Sequence, residues 1–459
     1  MDDNSKDLTK GASMGQGANQ GNLVRVDIAH LQMGMYVAQL DRPWLDTPFL
    51  MQGFELRNKV QLRTLEKYCQ HVYIRNQAVR ERKKPQQAAK GLAPKLTRKA
   101  DKGTMLSHAG REPKQPRKRR IVRSRPAYEA TLSVSEEHPV AASAYRKGKA
   151  DIKKILHSAQ FGQMLDTKVA EEVVSSCVES MLRNPDAMIW MSKIKHESEY
   201  TAEHCLNVCI LAIAFGRHLK LEESELQMLG LCGLLHDVGK MRTPKVILEK
   251  RGALTDEEFL IMRQHTIEGH KLLNEEGGAS TLPIDVALNH HERPDGRGYP
   301  RGLKEGEVSE FARIISIVDA YDAITSDRCY SKAVSPVDAQ KEIYQNRGKQ
   351  FDEEYALAFM QAIGPYPPGT IVELRNGMVG IVLAGRRKFR HLPTIIILRD
   401  AEKQAIDEQT TDLYLTDSGK LDKGYLIRRT LRDGSFDIKL ENYKVKMDED
   451  PDSLTTVPV

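Results

Sequence analysis

The feature that most constrains the fold is a long series of amphipathic helical patterns between about residues 136 and 363. Apolar residues recur there at three- and four-residue spacing, the period of an α-helix with one buried face. The clearest segments are Val169–Leu182, Thr201–Leu219, Glu222–Asp237, Asp256–Asn274, Ser309–Thr325 and Asp352–Ile363. Since such helices bury their apolar faces against one another, the chain is expected to be mainly α, with a helical bundle as its largest domain.

Two smaller regions flank this bundle, and their patterns differ from it. Short apolar alternations begin at Leu23 and a helix is expected near Asn58–Cys69, which predicts a small α+β domain over 22–79. After Pro365 the apolar period becomes two, and Asn376-Gly377 between two such runs is typical of a β-hairpin. The expected order is therefore a disordered leader 1–21, the α+β domain 22–79, a linker 80–126, the helical domain 136–365, a β-rich region 366–447 and a tail 448–459.

The positive charge of the chain is concentrated in the linker. Residues 80–126 contain 17 Lys and Arg against 3 Asp and Glu, whereas the whole chain has a net charge of only +6. The segment also contains prolines and lacks aromatic residues, so base stacking is not expected and binding to a nucleic-acid polymer is unlikely to be its role. We interpret it as a solvated tether, with electrostatic contact to nucleic acid or anionic lipid as the alternative.

Several protein classes are excluded by composition. No apolar run approaches the roughly 18 residues that span a bilayer, and the polar N-terminus does not resemble a secretory signal. The six cysteines include no Cys-x-x-Cys pair, which argues against ribbon zinc sites and disulfide scaffolds. Cys205 and Cys209 are interpreted as small core residues. The chain is expected to be a cytoplasmic protein without a membrane span.

Histidines cluster inside the helical domain. Of the 14 histidines, eight lie between His196 and His291, and several of these fall in apolar helices together with aspartates. A buried imidazole or carboxylate without a partner is destabilising by a few kcal/mol, roughly, so such groups need a common partner. A metal ion would be one, and nitrogen and oxygen donors together suit iron, manganese, nickel or zinc.

The segment HHERPDGRGYP at 290–300 is the most specific motif of the chain. It resembles the HHExxDGxGYP motif of the HD-GYP family, a branch of the HD superfamily of phosphohydrolases. HDVGK at 236–240 and DAYDAITSDR at 319–328 are similar to further family segments. The segments around Met33–Val37 and Leu40–Leu45 also resemble a domain of unknown function that often precedes HD-GYP domains. The resemblance implies an HD-type helical bundle and hydrolysis of the bacterial messenger cyclic di-GMP.

The resemblance also implies a set of metal ligands and a metal count. The implied ligands are His204, His236, Asp237, His265, His290, His291 and Asp319, with Asp237 bridging two ions. Iron or manganese is the expected metal. Family members with a third metal carry Glu four residues before the first ligand, and here that position is Tyr200. Because a phenol is a poor ligand at neutral pH, two metals are expected, and Tyr200 is interpreted as a packing or substrate-contacting residue.

The implied reaction assigns roles to four further residues. A hydroxide bridging the two metals would attack phosphorus, giving linear pGpG, with further hydrolysis to GMP left open. Lys240 would contact a phosphate oxygen, or act only as a cation at a helix end. Asp322 would orient Lys240 or help to protonate the leaving oxygen. Arg328 would bind phosphate or guanine, and Tyr299 would contact substrate or merely shape its loop.

Other functions are kept as alternatives. The hydrolase could act on a cyclic GMP-AMP dinucleotide or another nucleotide phosphate, or the domain could be a binding module whose ligands are degenerate. All implied ligands are present, which favours an enzyme. The glycine- and proline-rich loop 293–306 is a candidate contact for diguanylate cyclases, and a homodimer is also considered. Lowering the messenger would favour motility over biofilm.

Overall fold

The structure is a computed structural model that describes residues 23–41, 54–56, 59–75, 127–194, 200–275, 280–327, 333–386, 388–443 and 445. The predicted leader 1–21, linker 80–126 and tail 448–459 lie outside these residues. The described residues fall into two compact units, one ending at residue 75 and the other beginning at residue 127. Each unit is described by itself.

The N-terminal unit is a four-stranded antiparallel sheet with one helix, which confirms the predicted α+β character. Its strands lie in the order β1-β4-β2-β3. Leu56, Leu65 and Val72 are fully buried and form its small core. Its elements are β1 (Leu23–Asp27), β2 (Tyr36–Leu40), β3 (Phe54–Glu55), α1 (Lys59–Tyr68) and β4 (His71–Arg75).

The second unit begins with a helical bundle, as the apolar spacing predicted. The long helix α5 is almost wholly buried and packs against α2, α6 and α11 at the centre of the bundle. The helices are α2 (Val134–Gln160), α3 (Thr167–Arg183), α4 (Pro185–Met191), α5 (Tyr200–His218), α6 (Glu223–Leu235), α7 (Lys245–Leu248), α8 (Asp256–Arg263), α9 (His265–Glu275), α10 (Thr281–Asn289), α11 (Glu310–Ile324), α12 (Pro336–Gln345) and α13 (Glu353–Ile363). Cys205 and Cys209 are buried in this core, as expected.

Side-chain caps fix where the helices begin. The Thr255 hydroxyl accepts a hydrogen bond from the backbone N–H of Glu258, and the Glu258 carboxylate accepts one from the N–H of Thr255. Ser133 and Glu136 form the same reciprocal pair at the start of α2. Each pair satisfies two backbone donors that have no partner within the helix.

Two helix predictions were wrong in their bounds. The predicted helix Asp256–Asn274 is two helices, α8 and α9, separated at Gln264. The ring nitrogen Nδ1 of His265 lies 2.6 Å from the carbonyl oxygen of Met262. The ring thereby provides a hydrogen-bond partner for one backbone carbonyl at this break. The helix predicted to reach Asp237 ends at Leu235, and a 3₁₀ turn follows over Val238–Arg242.

A five-stranded antiparallel sheet completes the unit and confirms the β-rich appendage. Its order is β8-β7-β6-β5-β9, and the predicted hairpin joins β5 to β6 with Ile371 opposite Ile381. One face of the sheet joins the core of the helical bundle, and the other forms a separate apolar cluster. The strands are β5 (Ile371–Leu374), β6 (Val379–Ala384), β7 (Thr394–Arg399), β8 (Ala405–Asp412) and β9 (Ile427–Leu431).

No helix among the described residues combines the length and the apolar character that crossing a membrane requires.

Candidate metal centre

Five helices bring their polar residues to one place inside the bundle. His204 and Asp319 lie within α5 and α11, whereas the others lie at helix ends: His236 and Asp237 follow α6, His265 begins α9, and His290 and His291 follow α10. All are buried except His291, which is half-buried. The seven residues expected to be ligands are therefore close together, although they span 116 positions of the sequence.

The first group of potential ligands consists of His204, His236, Asp237 and Asp319. One donor atom from each lies within 4.8 Å of the others. Oδ2 of Asp237 lies 3.5 Å from Nε2 of His204 and 3.2 Å from Nε2 of His236. Two imidazole nitrogens and two carboxylates are a donor set that suits divalent transition metals.

The second group consists of Asp237, His265, His290 and His291, again with donors within 4.8 Å of one another. In this group Asp237 contributes the second oxygen of its carboxylate. Oδ1 of Asp237 lies 3.4 Å from Nε2 of His265 and 3.7 Å from Nε2 of His290. Asp237 therefore belongs to both groups, with one oxygen facing each.

Backbone carbonyls orient three of the rings. Nδ1 of His236 donates to the carbonyl of Gly233 at 2.8 Å, and Nδ1 of His290 to that of Val286 at 3.0 Å. His265 donates in the same way to the carbonyl of Met262. In the neutral form of each ring the proton then lies on Nδ1, and Nε2 faces the centre with a free lone pair, as in a metal-binding histidine.

Asp322 contacts one of the ligand rings. Its Oδ2 lies 2.8 Å from Nδ1 of His204, and the residue is only 1% exposed. The hydroxyl of Ser326 donates to the Asp322 carbonyl and lies 3.4 Å from its carboxylate. Asp322 thus lies behind the His204 ring. The roles that the sequence suggested for it, orienting Lys240 or protonating the leaving oxygen, stay predictions.

The two groups differ in their electrostatics. Burial lowers the pKa of His204, but the three carboxylates around it outweigh burial and raise that pKa to about 10. The pKa of His236 is raised to about 9 in the same way. At the second group burial dominates and lowers the pKa of His265 to about 3. Without a cation, His204 and His236 therefore hold protons at pH 7, whereas His265 presents a neutral imidazole.

A metal ion fits the polar atoms of the site. Nε2 of His236 and Oδ1 of Asp237 are buried and have no hydrogen-bond partner among the described residues. Leaving a buried polar group unsatisfied costs about 1–3 kcal/mol, and more for a charged one. A cation in the first group would satisfy Nε2 of His236, and one in the second group would satisfy Oδ1 of Asp237. The nitrogen and oxygen donors suit a divalent ion.

The turn after Asp237 is packed too tightly for any residue but glycine at position 239. A Cβ on Gly239 would lie 1.9 Å from the carbonyl oxygen of His265 and 2.4 Å from the backbone nitrogen of Gly269. This contact holds the turn against α9 and so sets the distance between Asp237 and His265. The ammonium of Lys240 hydrogen-bonds to Oδ2 of Asp237 and is partly exposed.

The HHERPDGRGYP segment builds a wall of the site. The Glu292 carboxylate accepts hydrogen bonds from the backbone N–H groups of Arg301, Gly302 and Leu303, which fixes the loop behind the ligands. The Tyr299 ring lies 4.7 Å from the His291 ring. Burial, followed by the nearby carboxylates, raises the pKa of Tyr299, so the phenol stays protonated.

Two predictions cannot be compared with the structure, and two residues were missed. Arg328 and the side chain of Tyr200 lie outside the described residues. The sequence reasoning assigned no role to Glu292, although its place in the motif was a usable signal. It also passed over Arg263, whose guanidinium lies over the Tyr299 ring.

Comparison with known proteins supports the same reading of the fold. Residues 186–355 match the family described as HD domain, and residues 23–170 match a domain of unknown function (DUF3391). The second match continues well beyond residue 79, where the N-terminal domain was predicted to end. The two matches contain the motifs on which both resemblances are based, those at 236–328 and those at 33–45.

Three relatives carry names that describe phosphodiesterases. Cyclic di-GMP phosphodiesterase PA4108 of Pseudomonas aeruginosa is 35% identical over 394 residues, which are 85% of this chain and 89% of the relative. A cyclic di-GMP phosphodiesterase of Thermotoga maritima is 33% identical over 42% of this chain and 52% of its own. The 3′3′-cGAMP-specific phosphodiesterase 1 of Vibrio cholerae is 36% identical over 32% and 34%. With the HD domain, the 290–300 motif and the near full-length match to PA4108, the chain belongs to the HD-GYP family of HD-domain phosphodiesterases.

Proposed function

We propose that this chain is a metal-dependent phosphodiesterase that hydrolyses cyclic di-GMP to linear pGpG, with a second cut to GMP left open. The observation that carries the proposal is the carboxylate of Asp237, whose two oxygens face two separate groups of ligands. A phosphodiester is slow to hydrolyse because it repels an anionic nucleophile and its alkoxide leaves poorly. Two adjacent cations address both difficulties.

The metals would be held by the two groups described above. We propose two ions, iron or manganese, with Asp237 as the shared ligand. When bound, such ions supply hydroxide at neutral pH and positive charge beside the phosphate. The identity of the metal is not fixed by a donor set of nitrogen and oxygen alone.

The side chains around the metal ligands would bind the substrate and orient the ligand rings. Lys240 lies beside Asp237 and is partly exposed, so its ammonium can reach a phosphate oxygen and stabilise the charge that develops there. Asp322 would act through His204 as a positioning residue. Tyr299 would offer its ring to substrate beside His291. We also retain Arg328 as a substrate-binding residue.

A second substrate is supported by one relative. The Vibrio cholerae protein that is 36% identical over 149 residues is named as specific for 3′3′-cGAMP. The metal-ligand groups act on the phosphodiester and do not read the bases, so they fit either dinucleotide. A binding module without activity is the weaker alternative, because every implied ligand is present and directed inward.

The proposal is tested with the full chain purified without chelator and loaded with Fe²⁺ or Mn²⁺. Cyclic di-GMP, 3′3′-cGAMP and pGpG are incubated separately, and products are separated by chromatography. We expect pGpG from cyclic di-GMP, and a loss of about 100-fold or more in His236→Ala. Lys271→Gln is the control, since Lys271 is exposed and pairs with Glu268 on the surface.

Two results would contradict the proposal. One is metal-loaded wild-type protein that leaves cyclic di-GMP intact. The other is His236→Ala turning it over as fast as Lys271→Gln does. If the protein cleaves 3′3′-cGAMP but not cyclic di-GMP, its substrate is 3′3′-cGAMP.

The cellular setting follows from the proposed substrate. Cyclic di-GMP is a messenger inside bacteria, so we propose that the enzyme acts in the cytoplasm and favours motility over biofilm. Diguanylate cyclases would bind at the loop 293–306, and a homodimer is a further proposal. Light scattering of the purified chain, with and without a cyclase, measures both associations.

A further inference from the structure

Arg263 is a cation beside the metal centre that has no anionic partner among the described residues. It is the last residue of α8 and is half-buried. Its guanidinium carbon lies 4.6 Å from the centre of the Tyr299 ring and 5.9 Å from that of Phe259. Such contacts hold a guanidinium in place through cation–π attraction and leave its N–H groups available.

Two arginines in the neighbouring loop, Arg293 and Arg301, are occupied by contacts within the protein. Arg293 donates two hydrogen bonds to the Asp295 carboxylate, and Arg301 donates to the side chain of Asn289. These contacts serve the structure of the loop. Arg263 makes no such contact in the described part of the chain. Its guanidinium N–H groups are therefore available to hydrogen-bond to a bound ligand.

The position of Arg263 suits a ligand that also reaches the metals. The Tyr299 ring that it covers lies 4.7 Å from the His291 ring and 6.3 Å from the His265 ring. Phe259, on the same helix, is 46% exposed, so this corner is open to solvent. An anion that binds at the ligands can therefore extend over Tyr299 to the guanidinium.

We propose that Arg263 binds the second phosphate of a cyclic dinucleotide while the first lies at the metal centre. This inference rests on the proposed function. A cyclic dinucleotide carries two phosphodiesters, and only one is hydrolysed in a single cut, so the other needs a partner. A guanidinium fork matches two phosphate oxygens and gives charge-assisted hydrogen bonds. Arg263 is thus a substrate-binding residue that sets the preference for cyclic dinucleotides over simple phosphodiesters.

The experiment compares Arg263→Gln and Arg263→Lys with wild type and with the charge-matched control Lys271→Gln. Steady-state kinetics are measured on metal-loaded full chain with cyclic di-GMP, 3′3′-cGAMP and bis(4-nitrophenyl) phosphate, which has only one phosphate. We expect Arg263→Gln to raise KM for both dinucleotides by about tenfold, with kcat changed by less than about threefold. Arg263→Lys recovers part of the loss, and bis(4-nitrophenyl) phosphate is cut as by wild type.

The salt dependence adds a readout that a structural role would not move. The difference in KM between wild type and Arg263→Gln should shrink as ionic strength rises, because the lost contact is between charges. Metal content and melting temperature should equal those of Lys271→Gln.

The possible negative results distinguish a failure of this inference from a failure of the proposed function. An unchanged KM in Arg263→Gln, with active wild type, overturns this inference alone. A loss for only one dinucleotide would mean that Arg263 reads a base, and an equal loss with bis(4-nitrophenyl) phosphate would place its effect at the metals; either overturns the assignment. Wild type that neither binds nor cuts a cyclic dinucleotide overturns the proposed function and this inference with it.

Discussion

Replacing Gly239 by alanine tests whether one backbone contact sets the geometry of the metal centre. Gly239 lies between Asp237 and Lys240, and it faces the first turn of α9. The Cβ of an alanine would lie 1.9 Å from the carbonyl oxygen of His265 and 2.4 Å from the nitrogen of Gly269. Both neighbours are backbone atoms, so no side chain can rotate away to make room.

The size of the effect follows from these distances. Real Cβ contacts rarely fall below 3.0 Å, so the turn and α9 must separate by more than about 1 Å. Nε2 of His265 lies 3.4 Å from Oδ1 of Asp237, and both belong to the second ligand group. Since metal–ligand distances tolerate only about 0.2 Å, we expect that group to lose its ion. Overpacking of this kind also destabilises a protein by about 1–3 kcal/mol.

The assay uses metal-loaded full chain and three measurements. Metal per chain by mass spectrometry should fall by one ion. The melting temperature should drop by roughly 2–12 °C if each kcal/mol shifts it by about 2–4 °C. Hydrolysis of cyclic di-GMP should fall by about 100-fold, the loss expected when a reacting group is misplaced by about 1 Å.

Gly269→Ala is the matched control, because it adds the same methyl group from the opposite side of the same contact. There the nearest atoms would be the nitrogen of Gly239 at 3.4 Å and Cβ of Ala287 at 3.5 Å, which are ordinary contacts. Removing a glycine from inside a helix should then stabilise the chain by about 0.5–1 kcal/mol. Full metal content and wild-type activity in Gly239→Ala would refute the reasoning.

Three further perturbations address the ligand set, the metals and the sheet. Asp322→Asn removes the charge that orients His204 and should weaken metal affinity by about 10–100-fold, measured by metal titration. Removing metal with a chelator should destabilise the chain by about 2.7 kcal/mol relative to a metal concentration 100 times Kd, measured by urea unfolding. Although burial raises the pKa of Glu373, Lys403 and Arg429 lower it below its ordinary 4.5. Glu373→Gln should therefore reduce stability at pH 7, and this difference should disappear as pH falls from 4.5 through the lower pKa of the folded state.

Much of the fold was predictable because its signals are local. The spacing of apolar residues predicted the helices to within a few residues, and Asn376-Gly377 predicted the hairpin between β5 and β6. The break at Gln264 was not predictable in the same way. Its apolar period continues through the break, and what interrupts the helix is the ring of His265, which is directed by the site.

The positions of the expected ligands were available from motifs, but their geometry was not. Nothing in the dipeptide His236-Asp237 says that the two oxygens of Asp237 face different ligand groups. The environment of Arg263 was not predictable from a motif. Its setting depends on Tyr299, 36 positions later, and no local pattern connects the two residues.

The pattern of partners around the histidines has one physical explanation. His236 and His290 end their helices, where backbone carbonyls of the last turn lack partners within the helix. Nδ1 of each ring lies close to such a carbonyl, that of Gly233 at 2.8 Å and that of Ala287 at 3.1 Å. His204 lies inside α5, where the carbonyls are already used by the helix. It therefore needs a side-chain acceptor, which Asp322 provides at 2.8 Å. Burial lowers the pKa of His204, but Asp322 acts together with Asp237 and Asp319 and raises that pKa to about 10.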